Sequence, residues 1–303
     1  MRVLMTGASG MIGATVCDAL LARGDEVTAL TRDLEGARAT NPTVTWHLWH
    51  PATERPPAAA FEGVDGVLNL IGENINQRLT PAAKQRISDS RIRATKNLVD
   101  GMLAAAPIPP VLVSQCAVGY YGDRGEAIVD ESTPPAEDWT GRLCADWDAA
   151  AMAAAGGGVR VTVLRSAPVL DPAGGMLKQL LLPFKLGLGG PLAGGRQYMP
   201  WIHREDEAAL FLWALDTAGA SGPFNASAPN PVTNRTFTKA LGAALRRPAV
   251  APIPRAALVA MRGEELADQI LGSIRVVPRR ALDAGFSFRF PEIEPALRDL
   301  LRD

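Results

Sequence analysis

Cysteine, histidine and tyrosine each occur only three times among the 303 residues, and this scarcity excludes several kinds of protein. Cys17, Cys116 and Cys144 are far apart and form neither a CxxC pair nor a zinc-binding pattern. A disulfide-stabilised secreted fold is therefore not expected. The apolar start of the chain is soon interrupted by glycines, unlike a secretory signal. The sequence predicts a reduced, cytoplasmic protein without a metal site.

A surplus of charge and a long hydrophobic run are also missing. Lys and Arg number 31 against 32 Asp and Glu, so the net charge is only −1. A nucleic-acid-binding protein would show a basic excess, because phosphate contacts dominate its affinity. No window of about 18 uninterrupted apolar residues exists, so no membrane span is expected. We expect a small-molecule substrate as the partner, and the sequence indicates no oligomeric state.

Short apolar runs alternate with helical patterns through the first half of the chain. This alternation predicts a parallel sheet covered by helices on both faces, an α/β Rossmann-type doubly wound fold. We expect a dinucleotide-binding domain over residues 1–165 and a smaller, mostly helical lobe over residues 166–303. Whether the chain returns to the sheet around residues 200–230 is left open. One helix is predicted over 254–271, and a surface loop over 123–138.

The segment TGASGMIG places Gly7, Gly10 and Gly13 between the first strand and the first helix. Gly7 permits a tight turn, Gly10 lets backbone N–H groups approach a pyrophosphate, and Gly13 allows close helix–sheet packing. The helix N-terminus then faces the negative charge. This context favours a dinucleotide-binding loop over a purely structural turn.

The end of the second strand indicates which nicotinamide cofactor is bound. NAD-binding proteins usually place an acidic residue there for the ribose hydroxyls. Here Thr31 and Arg32 take that position, and Asp33 follows. An arginine can pair with a 2′-phosphate, so the sequence favours NADP, with Asp33 on the ribose as the alternative.

The segment NLIGENI follows the fourth strand, and its Gly72 suggests backbone close to the cofactor, or alternatively a plain turn. Residues predicted to contact the cofactor are Gly7, Ser9, Gly10, Met11, Ile12, Gly13, Thr31, Arg32, Leu70, Ile71, Gly72, Glu73 and Pro168.

These segments, together with SQCAVGYYG and WIHREDEA, resemble the extended short-chain dehydrogenase/reductases, which include sugar-nucleotide epimerases. Longer blocks, among them KQRISDSRI and LGLGGPLAGGRQYMPWIH, resemble an atypical branch named epimerase-family proteins, sometimes loosely called cell-division-inhibitor homologues. The resemblance runs nearly from end to end. It implies a Rossmann fold, a nicotinamide cofactor and hydride transfer at nicotinamide C4.

The resemblance also implies a tyrosine and, four residues later, a lysine that lowers the phenol pKa for proton transfer. Laid over WTGRLCADWD, this pattern puts Thr140 at the tyrosine and Cys144 at the lysine, with Asp148 at a following acid. Neither replacement is able to do the original chemistry at neutral pH. The family mechanism is therefore not transferred to these positions.

Other residues are candidates for the missing chemistry. Tyr120 at the end of the fifth strand is the candidate proton donor, and Cys116 lies within one residue of the family's active-site hydroxyl. The glycine-rich loop over 187–197 is interpreted either as a lid over the cofactor or as a flexible connection between the lobes, and its Arg196 is a candidate for binding an anionic substrate. His203 is predicted either to face substrate or to have a structural role near Asp206.

A group on the long helix offers a replacement for the missing cation. Lys84, Ser88 and Arg91 are spaced for one helix face, which either binds an anion, replaces the cation, or is simply solvated. Two hypotheses for function stay open. The first is an NADP(H)-dependent oxidoreductase or epimerase with its substrate in a cleft between the lobes; the second is a non-catalytic NADPH-binding sensor or scaffold.

Overall fold

A parallel sheet of seven strands forms the centre of the computed structural model, which describes residues 1–302. The strands of the chain are β1 Arg2–Thr6, β2 Glu26–Thr31, β3 Thr45–Leu48, β4 Gly66–Asn69, β5 Val111–Ala117, β6 Ile128–Val129, β7 Arg160–Ser166, β8 Val169–Leu170, β9 Tyr198–Met199, β10 Ile202–His203, β11 Gly222–Ala226, β12 Val232–Thr233 and β13 Arg275–Val276. The sheet order is β11-β7-β5-β4-β1-β2-β3, and the predicted Rossmann-type fold is confirmed.

Helices cover both faces of this sheet. The helices of the chain are α1 Met11–Ala22, α2 Leu34–Thr40, α3 Pro81–Ser88, α4 Ala94–Leu103, α5 Trp139–Met152, α6 Gly175–Lys185, α7 Arg204–Asp216, α8 Asn234–Ala244, α9 Arg255–Arg262, α10 Glu264–Leu271, α11 Arg279–Asp283 and α12 Ile293–Leu300. Helices α1 and α7 pack together on one face, and α4 and α5 on the other. Because both faces are covered, the strands are apolar on both sides, as in other parallel sheets.

The chain returns to the sheet after residue 166. Strand β11 pairs with β7 at the sheet edge, so the sheet is not confined to residues 1–165. Helices α6, α8 and α12 enclose a separate core around Leu177, Phe237 and Leu297. The C-terminal part is therefore mostly helical but also contributes one strand and one covering helix to the Rossmann layer.

Two local predictions need correction. The helix expected over 254–271 is two helices, because Gly263 between them has φ +84°, which a helix cannot contain. The segment 123–138 is not a free loop, since β6 within it pairs with β13. Within residues 1–302, no helix combines the length and the apolarity needed to cross a bilayer.

A buried hydrogen-bond network centred on Asn69 ties the middle of the sheet together. Thr6 Oγ1 donates to Asn69 Oδ1 at 2.7 Å, and Asn69 Nδ2 donates to Thr95 Oγ1 and Ser114 Oγ, both at 3.0 Å. Trp147 Nε1 also donates to Thr95 Oγ1, at 3.1 Å. The network joins β1, β4 and β5 to α4 and α5.

Replacing the central amide is expected to destabilise the protein. Asn69→Ala leaves buried hydroxyls without partners, which raises the free energy of the native state by about 2–3 kcal/mol. Urea unfolding should show this loss. Asn230→Ala, at an exposed residue bonded to Glu292, should stay within about 0.5 kcal/mol of wild type. Equal stabilities of the two variants would contradict this role of Asn69.

A second buried polar group, Glu207 on α7, is held in its neutral form. Ser166 Oγ donates to its Oε1 at 2.5 Å, while its Oε2 has no partner. Burial raises the pKa of this carboxyl to about 8, from an ordinary value of 4.5. The native state therefore retains a proton near neutral pH that the unfolded chain releases.

This retained proton predicts that stability falls as the pH rises from about 4.5 to 8. In that window the native state binds more protons than the unfolded state, so the free energy of unfolding decreases with pH. Urea titrations at pH 5 and pH 8 should show a steeper loss for wild type than for Glu207→Gln, by on the order of 3 kcal/mol. Parallel pH dependence in both proteins would contradict the assignment.

Candidate functional site

The carboxyl ends of the central strands meet along one edge of the sheet. The register places Thr6 beside Asn69, Asn69 beside Ser114, and Ala117 beside Ser166. We call the region bordered by the loops after β1, β2, β4, β5 and β7 the strand-end site. Open α/β sheets bind their ligands at this edge, so it is the candidate functional site.

The turn after β1 fits only glycine at two positions. Gly7 has φ +68°, and a Cβ on it would lie 2.6 Å from the Leu70 carbonyl oxygen. A Cβ on Gly13 would lie 2.0 Å from the Gly7 carbonyl oxygen. The chain therefore turns sharply off β1 and brings α1 directly against it, as the glycine spacing predicts.

The N-terminus of α1 is open toward the strand-end site. Its N-cap residue, Gly10, provides no side-chain hydrogen bond, and the first turn contains no acidic residue. Ser9 and Gly10 are exposed, while Met11 and Ile12 are partly buried. Uncapped N–H groups and the helix dipole together favour an anion at this point.

Arg32 and Asp33 differ in how they are engaged. Asp33 is the N-cap of α2, and its Oδ1 accepts a hydrogen bond from the Gly36 N–H at 3.0 Å. Thr31 Oγ1 bonds the Asp33 backbone. Arg32 is exposed and forms no ion pair within residues 1–302. One oxygen of the Asp33 carboxylate thus caps α2, while the Arg32 guanidinium has no ion-pair partner among these residues.

The segment after β4 is held by hydrogen bonds to Thr6 of β1 and to Ser90. The Leu70 N–H donates to Thr6 Oγ1 at 3.0 Å, and Ile71 is partly buried. The Glu73 N–H donates to Ser90 Oγ at 2.9 Å, and its carboxylate accepts from Arg86 and Gln77. The hydrogen bond from Gln77, followed by that from Arg86, lowers the Glu73 pKa. The Glu73 side chain is thus already engaged by the protein.

Gly72 has a different neighbour from the one expected. A Cβ on Gly72 would lie 3.1 Å from Arg91 Cζ, so the absent side chain makes room for that guanidinium. Sequence reasoning attributes the glycine to close cofactor approach or to a plain turn, and neither interpretation includes this contact.

Tyr120 and Tyr121 follow β5 but have different surroundings. Tyr121 is buried, and its hydroxyl donates to Asn225 Oδ1 at 2.6 Å and accepts from Arg165 at 3.0 Å. Tyr120 is partly exposed, and Arg165 Cζ lies 3.5 Å from its ring centroid. Arg165 is itself paired with buried Asp148 at 2.7 Å. Of the two tyrosines, only Tyr120 has surface to offer a ligand.

Cys116 does not face the strand-end site. Its side chain lies in the core between the sheet and α4 and α5, and its Sγ donates weakly to the Cys144 carbonyl oxygen. Burial raises the Cys116 pKa well above its usual range. The expectation that it replaces the active-site hydroxyl is wrong, because the thiol is inside the protein. Pro168, by contrast, is exposed just beyond β7.

Packing has filled the positions of the absent tyrosine and lysine. Thr140 is buried at the start of α5, and its hydroxyl accepts a hydrogen bond from Gln269 of α10. A Cβ on Gly119 would meet the Thr140 methyl group at 2.8 Å. Cys144 is buried in the same core as Cys116. Neither Thr140 nor Cys144 is placed as a proton carrier.

His203 is a structural residue, so the substrate-facing interpretation is wrong. Its ring has no exposed surface and stacks on Phe290 with centroids 3.8 Å apart. Its Nδ1 accepts from the Glu205 N–H, which caps α7. Burial lowers its pKa to about 4, so the ring is neutral. Asp206 nearby accepts the backbone N–H groups of Arg289 and Phe290 instead.

The glycine-rich loop over 187–197 is attached to the C-terminal part. The Leu192 N–H donates to Asn234 Oδ1, the Ala193 N–H to the Ile253 carbonyl, and Arg235 N–H to the Gly195 carbonyl. Arg196 is exposed on this loop. The loop is therefore held by several hydrogen bonds, which does not fit a freely moving lid.

Lys84 and Arg91, which the sequence spacing places on one helix face, point to different partners in the structure. Lys84 Nζ pairs with Glu265 of α10 at 2.7 Å and lies over the Trp139 ring. Arg91 turns instead toward Gly72 and Trp147. No cluster of three His, Cys, Asp or Glu side chains within residues 1–302 is arranged to hold a metal.

Sequence reasoning missed Asn69 and Gln269. Asn69 ends an apolar strand with a single polar residue, a weak signal of a buried network. Gln269 lies 129 residues from Thr140, and no local pattern indicates that the two meet.

Known proteins match the whole chain. The NAD dependent epimerase/dehydratase family model matches residues 3–227, and a domain of unknown function, DUF1731, matches 253–300. Epimerase family protein SDR39U1 of Bos taurus is 39% identical over 309 residues, covering 99% of this chain and 100% of the bovine protein.

Two solved structures support the same relationship. Human epimerase family protein SDR39U1 (isoform 2), crystallised with NADPH, has a TM-score of 0.89 at 34% identity and covers 99% of each chain. A nucleoside-diphosphate sugar epimerase from Corynebacterium glutamicum has a TM-score of 0.80 at 30% identity, covering 99% of this chain and 58% of that one. The resemblance is confirmed, and the chain belongs to the NAD-dependent epimerase/dehydratase family.

Proposed function

We propose that the chain binds NADP(H) at the strand-end site and transfers hydride to or from a small carbonyl or hydroxyl compound. The observation that carries this proposal is the pairing of a glycine turn, open at the α1 N-terminus, with an exposed Arg32 beside an already engaged Asp33. The NADPH in the human relative supports the same cofactor.

In this proposal, different parts of the chain bind different parts of the cofactor. The N–H groups at the start of α1 hold the pyrophosphate, and Arg32 pairs with the 2′-phosphate. Leu70, Ile71 and Pro168, which lie just beyond β4 and β7, would contact the nicotinamide half. When bound, the cofactor supplies the hydride donor or acceptor at nicotinamide C4.

The proton step falls to Tyr120 in this proposal. It is the partly exposed tyrosine at the end of the central strand β5, and buried Tyr121 is already bonded on its hydroxyl. In this proposal the substrate binds between the strand ends and the C-terminal part, and exposed Arg196 is the candidate for its anionic group.

One observation favours a second function, a non-catalytic NADPH-binding sensor or scaffold. Gln269 of α10 bonds Thr140 at the position where the family has its tyrosine. Helix α10 also pairs with α3 through Lys84 and Glu265. In this second proposal, α10 covers the tyrosine position and prevents turnover. NADPH binding would then change how the C-terminal part binds a partner protein.

Arg32 is expected to select NADPH over NADH. Removing the charge in Arg32→Ala should weaken NADPH binding about 10- to 100-fold, because a charge-assisted pair with phosphate contributes about 1.5–3 kcal/mol. NADH binding should change little. Calorimetric titration with both nucleotides measures this. Arg38→Ala, at an exposed arginine of α2, is the matched control, and equal losses for both nucleotides would contradict the assignment.

Tyr120 is expected to be required for turnover but not for cofactor binding. Tyr120→Phe should lower the rate about 10²- to 10⁴-fold, the usual contribution of a general acid, with the Kd for NADPH unchanged. The readout is NADPH absorbance decay with 4-nitrobenzaldehyde and butane-2,3-dione. Tyr198→Phe, at the remaining partly buried tyrosine, should keep its rate.

The same assay separates the two candidate functions. An unchanged rate in Tyr120→Phe would remove that tyrosine as the donor. Tight NADPH binding by wild type without consumption in any of these assays would favour the sensor.

A further inference from the structure

The long helix after the fourth strand is interrupted at one point by a wider turn. Residues Pro81–Ser88 and Ala94–Leu103 are α-helical, and Asp89–Arg93 between them form a π-helical turn. Such turns change the direction of the side chains they carry and are frequent at functional sites. Arg91 is the central residue of this turn.

The Arg91 side chain is held at the strand-end site by shape. Its Cζ lies 5.1 Å from the Trp147 ring centroid and would lie 3.1 Å from a Cβ on Gly72. Gly72 follows β4 by three residues, at the carboxyl end of the sheet. The guanidinium therefore lies between an indole ring and the backbone that borders the site.

The charge of Arg91 is poorly matched by the protein. Its Nη1 donates only two long hydrogen bonds, both 3.4 Å, to the Ile87 carbonyl and Ser90 Oγ. Glu73, the nearby carboxylate, pairs with Arg86 instead at 3.2 Å. Within residues 1–302, Arg91 has no ion pair inside 4.0 Å, and burial lowers its pKa. Most of its five N–H donors remain available to a ligand.

Arg91 lies next to the position where the family's lysine is absent. Its guanidinium contacts α5 at Trp147, 5.1 Å from the ring centroid, and Cys144, which occupies the lysine position, lies three residues before Trp147 on that helix. Helix α5 therefore lacks the lysine, and the turn after α3 brings a cation to the same region. A guanidinium there provides a permanent charge and several donors.

We propose that Arg91 replaces the missing lysine and donates hydrogen bonds to the ribose hydroxyls in the nicotinamide half of NADPH. This inference rests on the proposed function, since it requires the cofactor at the strand-end site. Arg32 is assigned to the adenosine half of NADPH and Arg91 to its nicotinamide half. A ligand that contains only the adenosine half therefore separates the two contributions to binding.

The experiment compares NADPH with adenosine 2′,5′-bisphosphate, which carries the adenosine ribose and 2′-phosphate but no nicotinamide half. Calorimetry on the full chain gives the Kd of each. Arg91→Met should weaken NADPH binding about tenfold or more, as for lost charge-assisted hydrogen bonds, and leave the bisphosphate Kd unchanged. Arg91→Lys should recover part of the NADPH affinity.

The control is Arg93→Met, which removes an exposed arginine from the same turn and should change neither Kd. Wild-type NADPH affinity in Arg91→Met, or equal losses for both ligands in Arg91→Met and Arg91→Lys, would overturn the inference. If Arg91→Met fails to fold, the Kd values of Arg91→Lys for the two ligands test the inference instead. Failure of wild type to bind either ligand would instead overturn the proposed function.

Discussion

The amide of Asn69 is the interaction on which the strand-end site depends. It joins three strands through Thr6 and Ser114, and it reaches α4 through Thr95, which also accepts the Trp147 indole N–H. Thr6 in turn receives the Leu70 N–H, so the same network sets the backbone after β4. The base of the site and the indole beneath Arg91 are thus fixed by one buried polar group, whose partners are all satisfied.

The chain keeps the family's features for binding a dinucleotide but lacks the tyrosine and lysine that the family uses in its reaction. The glycine turn, the open α1 N-terminus and the available Arg32 match what a dinucleotide needs. At the tyrosine and lysine positions the chain has instead packed Thr140 against Gln269 and buried Cys144. A shared fold carries the first set of features because they follow from backbone geometry, whereas chemistry depends on individual side chains and varies among relatives.

The sequence predicts well those features that depend on backbone geometry. The first strands, the covering helices and the role of Gly7 and Gly13 follow from apolar periodicity and steric limits. The side that Cys116 faces is not predictable from sequence, because β5 is largely buried on both faces and alternation gives no signal. The β11 strand and the Thr140–Gln269 contact depend on tertiary pairing between distant segments.

The groups at and beside the tyrosine and lysine positions limit the chemistry available there. Gln269 and Thr140 are neutral, and the guanidinium of Arg91 stays charged across the physiological range. Such groups stabilise a developing negative charge on oxygen by hydrogen bonding, but they do not release a proton at neutral pH. Any complete reduction therefore needs its proton from a separate group, and in the proposed function that group is Tyr120, which is partly exposed after β5.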